Sequence, residues 1–103
     1  MKELNKQQII WQVIASIPKG KVCSYGQVAS LAGLANHARY VGSTLKKLPS
    51  GTQLPWHRVV NAKGELSFPP NSPAYQEQKK RLETEGICFI KEKIALATYA
   101  WKP

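Results

Sequence analysis

Ile9, Ile10, Val13, Ile14 and Ile17 return to one side of a 3.6-residue period, so the chain is expected to begin on an amphipathic helix. Asn5 and Gln8 have the N-cap and N3 spacing of a capping box, and Leu4 is placed to staple onto Ile9. Pro18 and Gly20 stop the helix. Trp11 lies near its apolar face and reads as core. Ser24 opens a second helix, with Gln27 three residues on as another capping box and Cys23 and Val28 in the staple positions. That position makes Cys23 a packing residue. Val28, Ala29, Leu31 and Ala32 supply apolar contacts, and Gly33 suits a left-handed C-terminal turn. Asn36 then caps a third helix with an apolar face of Ala38, Val41, Leu45 and Leu48. Gly42 leaves room there for another backbone, and Pro49-Ser50-Gly51 ends the helix.

Past Pro55 the pattern changes. Arg58-Val59-Val60 and Glu65-Leu66-Ser67 flank Asn61-Ala62-Lys63-Gly64, which predicts a hairpin with glycine at its left-handed position. Ser72 caps a further helix with Pro73 at its first position, and Tyr75, Lys79 and Leu82 carry it to Gly86. Cys88-Phe89-Ile90 reads as a short strand, residues 91–103 as loop packed on the body, and Trp101 as a packing anchor. Two short helices around a tight Gly-containing turn, followed by a hairpin, make a helix-turn-helix with a wing. The expected fold is mainly α (α+β), a winged helix-turn-helix with a small β-hairpin wing. At 103 residues there is no room for two independent cores, so residues 1–103 form a single domain on this reading. Arg39 falls in the first turn of the recognition helix, where such helices meet DNA. A cation there opposes the helix dipole. His37, just before it, either touches phosphate or faces solvent.

Charge sharpens this picture. The net charge is +9, and aspartate is absent. Between Leu4 and Gly64 lie Lys6, Lys19, Lys21, Arg39, Lys46, Lys47, Arg58 and Lys63 and no acid; from Glu65 onward six basic residues face five acidic ones. A one-signed field of this kind attracts a polyanion, nucleic acid first and an anionic membrane second, and carries no sequence specificity. No apolar run approaches the roughly 20 residues that span a bilayer. The N-terminus lacks the apolar stretch of a signal peptide. Cys23 and Cys88 make neither a disulfide framework nor a zinc site. A reduced, cytoplasmic, monomeric protein is expected, nucleoid-associated in a bacterium or nuclear in a eukaryote, with no metal and no cofactor.

Pro55-Trp56-His57-Arg58-Val59-Val60 resembles the active-site motif Pro-Cys-His-Arg-Val of the DNA repair O6-alkylguanine alkyltransferases. Ile17-Pro18-Lys19-Gly20-Lys21-Val22 with Ser24-Tyr25-Gly26-Gln27-Val28-Ala29 resembles the segment before that family's DNA-binding motif. Ala38-Arg39-Tyr40-Val41-Gly42 resembles its recognition helix, and Leu82-Glu83-Thr84-Glu85-Gly86 the segment bearing its glutamate. Trp56 stands where the alkyltransferases have their nucleophilic cysteine. Methyl transfer needs a thiolate, and an indole N–H only donates a hydrogen bond. Tryptophan there marks the alkyltransferase-like proteins, which the chain resembles.

The resemblance implies a non-enzymatic sensor of O6-alkylguanine in double-stranded DNA that docks in the minor groove and flips the damaged base. It further implies that such proteins channel lesions into nucleotide excision repair and block alkyltransferases by competition. Arg39 resembles the finger that replaces the flipped nucleotide in the stack, and Tyr25 the tyrosine that crowds the neighbouring phosphate. Trp56, with the backbone after Pro55, would line the base pocket. His57 and Glu85 match the pair that activates the enzymes' thiol through a water; here they would hold the motif turn and the helix end. Arg58 either bonds carbonyls beneath the pocket or meets phosphate, while Ala38 and Lys63 are further candidate supports or DNA contacts. Leu48 stands near an asparagine of the enzymes, and Phe68-Pro69-Pro70-Asn71 differs from their capping loop. Two other readings fit the composition: a winged-helix regulator of sequence-specific binding, and an alkyltransferase using Cys23 or Cys88.

Overall fold

A parallel pairing between two distant short strands organises the chain. In the computed structural model, which describes residues 5–103, β1 (Cys23–Ser24) lies beside β2 (Val59–Val60), Cys23 opposite Val59 and Ser24 opposite Val60. Helix α1 (Lys6–Ser16) precedes this pair, and α2 (Tyr25–Leu31) and α3 (Ala38–Leu45) separate its strands. Then follow α4 (Pro73–Thr84), an antiparallel hairpin of β3 (Phe89–Ile90) and β4 (Lys93–Ile94), and α5 (Leu96–Tyr99). This is the mainly helical domain with a small sheet that the sequence predicts. Alternation along the strand pair sends buried Cys23 and Val59 into a cluster with Ile10, Ile14, Ile17 and Val28 of the first helices. Val22 and Val60 go to a second cluster with Tyr75, Leu82, Ile87 and Ile94.

Local chemistry sets most helix ends as expected. Asn5 and Gln8 form the reciprocal capping box. The Leu4 staple falls outside the described residues. Gly33, at φ 76°, closes α2 in a Schellman turn: its N–H donates to Ser30 and that of Leu34 to Ala29. Ser72 and Pro73 start α4. Cys23 is buried, and burial pushes its thiol up to about 11. Trp11 and Trp101 are half-buried against the first cluster.

Other expectations are corrected. At Ser24 only half of the capping box forms, because the Gln27 amide donates instead to the Trp101 carbonyl, 2.8 Å away, which the C-terminal segment brings alongside. Asn36 does not cap α3: it takes a left-handed φ of 71° in the turn, and His37 holds the cap position without a side-chain bond. Leu48 lies beyond α3, which ends at Leu45, and Thr44 takes the buried place, its hydroxyl donating to the Val41 carbonyl. What approaches Gly42 is the Tyr25 ring rather than a backbone.

The expected wing hairpin is also replaced. Val59–Val60 pairs with β1, and residues 61–65 close as a turn around the Asn61 side chain, which accepts from the Lys63 and Glu65 N–H groups. The observed hairpin lies in the segment read as strand and loop, its turn made by Lys91 and Glu92 at φ 51° and 63°. Glu92 is held by the Tyr75 hydroxyl and by Lys79. Gly64, at φ 80°, accepts from the Ile94 N–H, and an added Cβ would meet the Ile94 carbonyl oxygen. Gly64→Ala therefore combines left-handed strain with a backbone clash. It is expected to lower stability by about 2–3 kcal/mol, read as a fall in the urea midpoint at unchanged slope. An unchanged midpoint would contradict the close approach.

Candidate functional site

Pro55 cannot donate a backbone hydrogen bond and starts a single 3-10 turn, Trp56–Arg58, that leads directly into β2. The turn is fixed from behind. Arg58 donates to the Ile17 carbonyl at 2.7 Å and to both Glu85 oxygens. Glu85, at the C-cap of α4, also meets His57 Nε2 at 2.7 Å and accepts from the Gly20 N–H at 3.0 Å. One carboxylate thus ties the end of α4 to the turn after α1 and to the motif turn. Burial disfavours its ionisation, but the hydrogen bonds from Arg58, His57 and Gly20 prevail and bring it down to about 2. Burial lowers the pKa of the His57 imidazole in spite of Glu85. His57 is therefore neutral near pH 7, its Nε2–H donating to Glu85 and its buried Nδ1 left without a partner.

With its neighbours held behind it, Trp56 is turned toward a groove of about 840 Å³ between the helix-turn-helix and α4. The Arg81 guanidinium sits 5.4 Å from the Trp56 ring, and the Phe68 ring meets it edge-on at 6.2 Å. Tyr25, Ala38 and Arg39 line the same groove, as does Gly42, whose missing side chain leaves space for the Tyr25 ring. Arg39 is exposed and enters none of the ion pairs among the described residues.

The candidate residues therefore divide. Tyr25, Ala38, Arg39 and Trp56 come together at the groove. His57, Arg58 and Glu85 form the support behind it, and the Arg58 side chain is engaged with Glu85 and Ile17. Pro55 shapes the turn without lining the groove, and Lys63 is exposed on the 61–65 turn outside it. His37 is exposed, with Nδ1 3.0 Å from the Ala35 carbonyl. Sequence reasoning missed the α4 wall. Ala74, Glu77 and Gln78 line the groove, and Arg81 covers Trp56. Their three- and four-residue spacing is the signal for a shared helix face, but polar side chains at that spacing also describe a solvated face. Val59, read as part of a wing, lines the groove as well.

The family model for the DNA-binding domain of 6-O-methylguanine DNA methyltransferase matches residues 5–87. The chain is 46% identical over 101 residues to an Escherichia coli protein named DNA base-flipping protein, covering 97% of this chain and 77% of that one. It is 39% identical to alkyltransferase-like protein 1 of Schizosaccharomyces pombe, covering 91% of this chain and 92% of that one. A crystal structure of S. pombe Atl1 in complex with damaged DNA containing O6-carboxymethylguanine superposes with a TM-score of 0.89 at 37% identity over the whole of both chains.

Proposed function

This chain belongs to the alkyltransferase-like proteins, within the family of the 6-O-methylguanine DNA methyltransferase DNA-binding domain, and on that premise we propose that it is a non-enzymatic sensor of O6-alkylguanine in duplex DNA. One observation carries the reading: Trp56 of the Pro-Trp-His-Arg-Val motif shares a groove with Tyr25 and Arg39, while both cysteines lie elsewhere. An indole there offers surface for a base and no nucleophile for its alkyl group. Cys23 is buried, with its thiol raised to about 11, so almost none is thiolate at neutral pH. Cys88 is exposed but does not line the groove.

In this reading the basic surface holds the phosphates and the helix-turn-helix enters the minor groove. That groove distinguishes neighbouring sequence poorly, which suits a protein that must find damage in any context. Arg39 takes the place of the flipped nucleotide, Tyr25 presses the adjoining phosphate, and the base enters beside Trp56. The bound complex then flags the site for nucleotide excision repair and shields it from alkyltransferases. The protein would lie with its DNA, in the nucleoid or the nucleus.

Titration of matched duplexes with and without O6-methylguanine, at one stated salt concentration, tests this. The damaged duplex is expected to bind more tightly whatever bases flank the lesion, and no radiolabel is expected to move from a labelled methyl group to the protein. Equal affinity for both duplexes would overturn damage recognition; stoichiometric label on the protein would overturn the non-enzymatic reading. Salt must be fixed because phosphate contacts make affinity steeply salt-dependent.

A further inference from the structure

Gln78 lies inside α4, is 3% exposed and lines the groove. Its Nε2 donates to two main-chain carbonyls of the motif turn, His57 at 3.1 Å and Val59 at 3.0 Å. Carbonyl oxygens only accept, so the NH2 end must face them; the reverse orientation would set oxygen against oxygen. The amide is thus held in one orientation by the backbone it supports. Its Oε1 has no hydrogen-bond partner among the described residues and is not one of the sealed, unpartnered atoms, which are Trp11 Nε1 and His57 Nδ1. Oε1 is therefore an acceptor of fixed direction that a buried residue presents at the groove wall.

Resting on the reading of this groove as the site of a flipped base, we propose that Gln78 is a specificity-determining residue whose Oε1 accepts a hydrogen bond from an exocyclic amine of a flipped purine. Alkylation at O6 leaves guanine without its N1 proton. N1 and N3 then only accept, and the 2-amino group is the one donor on the base. A wall offering a fixed acceptor matches that donor. A purine without an amine there would leave the amide oxygen desolvated and unpaired, the situation in which sites built for hydrogen bonding reject an analogue. The role differs from those of Arg39 and Trp56, which concern the stack and the surface of the base. Gln78 does not separate the lesion from undamaged guanine, which has the same amine. It separates purines with the amine from purines without it.

The test uses four duplexes that differ at one base: guanine, O6-methylguanine, hypoxanthine and O6-methylhypoxanthine. The last two lack the 2-amino group. Wild-type protein is expected to bind O6-methylguanine about tenfold more tightly than O6-methylhypoxanthine. Gln78→Lys retains donors for the His57 and Val59 carbonyls and removes the acceptor; Gln78→Met removes both at similar volume. In each, the ratio between the two methylated bases is expected to fall to near one. Circular dichroism melting identifies which variants are folded, and if the methionine variant is not, the lysine variant carries the test. A wild-type ratio of one, or a ratio that survives in a folded variant, overturns the role of Gln78. A wild-type protein that binds O6-methylguanine no better than guanine overturns the sensor reading instead, so the two failures are distinguishable.

Discussion

Arg39→Ala is expected to weaken binding to a duplex carrying O6-methylguanine about 100-fold at fixed salt. The size follows from the proposed replacement of a flipped nucleotide by this side chain. Turning a base out of the stack costs a few kcal/mol, less where the base is damaged or mispaired. A planar guanidinium in the gap stacks on the neighbouring bases and offers donors to the partner base left behind. Arg39 is suited to this: it is exposed in the first turn of α3, shares the groove with Trp56, and has no competing ion pair among the described residues. Lys46 is a useful contrast, an exposed cation on the same groove. Lys46→Ala is expected to weaken damaged and undamaged duplexes alike, by a few-fold, and to reduce the salt slope by about one. Arg39→Lys keeps the charge without the planar fork and is expected to restore the slope but not the affinity. If Arg39→Ala loses no more than Lys46→Ala, Arg39 is a phosphate contact and the base-replacement role fails.

Glu85→Ala is expected to destabilise the fold by about 3–5 kcal/mol at pH 7, because it leaves the Arg58 cation uncompensated behind the motif turn. The intact group also sets an acid limit. Glu85 titrates near 2 in the folded chain, against about 4.5 when free, so the folded state binds fewer protons in that interval. Stability from this depression is complete above about pH 4.5 and is lost as pH falls toward 2, a total of about 3 kcal/mol. His57 acts in the same direction: its folded pKa lies below 6.5, so stability declines as pH drops through that value. Urea midpoints across the pH range are expected to be flat above pH 7, to fall gently below about 6.5 and to fall steeply below 4.5. In Glu85→Gln the steep part is expected to vanish. Its persistence would show that another carboxylate sets the acid limit.

The elements written into short stretches of sequence were readable in advance. The Asn5 box, the Gly33 turn and the Ser72-Pro73 start depend on side chains within a few residues of the backbone they satisfy. The helix-turn-helix was legible for that reason, and with it the positions of Tyr25 and Arg39. Asn61-Ala62-Lys63-Gly64 signals a turn in its sequence, but not which strand its flanks pair with. Val59 and Val60 can pair with any exposed strand, and the chain brings β1, Cys23–Ser24, alongside them. The side chain of Asn36 is equally compatible with a cap and with a left-handed turn; the path between α2 and α3 selected the turn.

By itself the sequence determined most helix ends, the concentration of positive charge before Glu65 and the presence of a tryptophan in the Pro55–Val60 motif. These are properties of residue type, chain order and near neighbours. The tertiary structure decided which of these residues meet. It placed Glu85 against a turn that lies 27 residues earlier at Arg58, and brought one face of α4 to the groove. The reason is that a buried polar group acquires its role from the partner it finds. Gln78 and Arg81 could be solvated helix residues in any chain; here the Pro55–Val59 segment packed against them makes them part of the site.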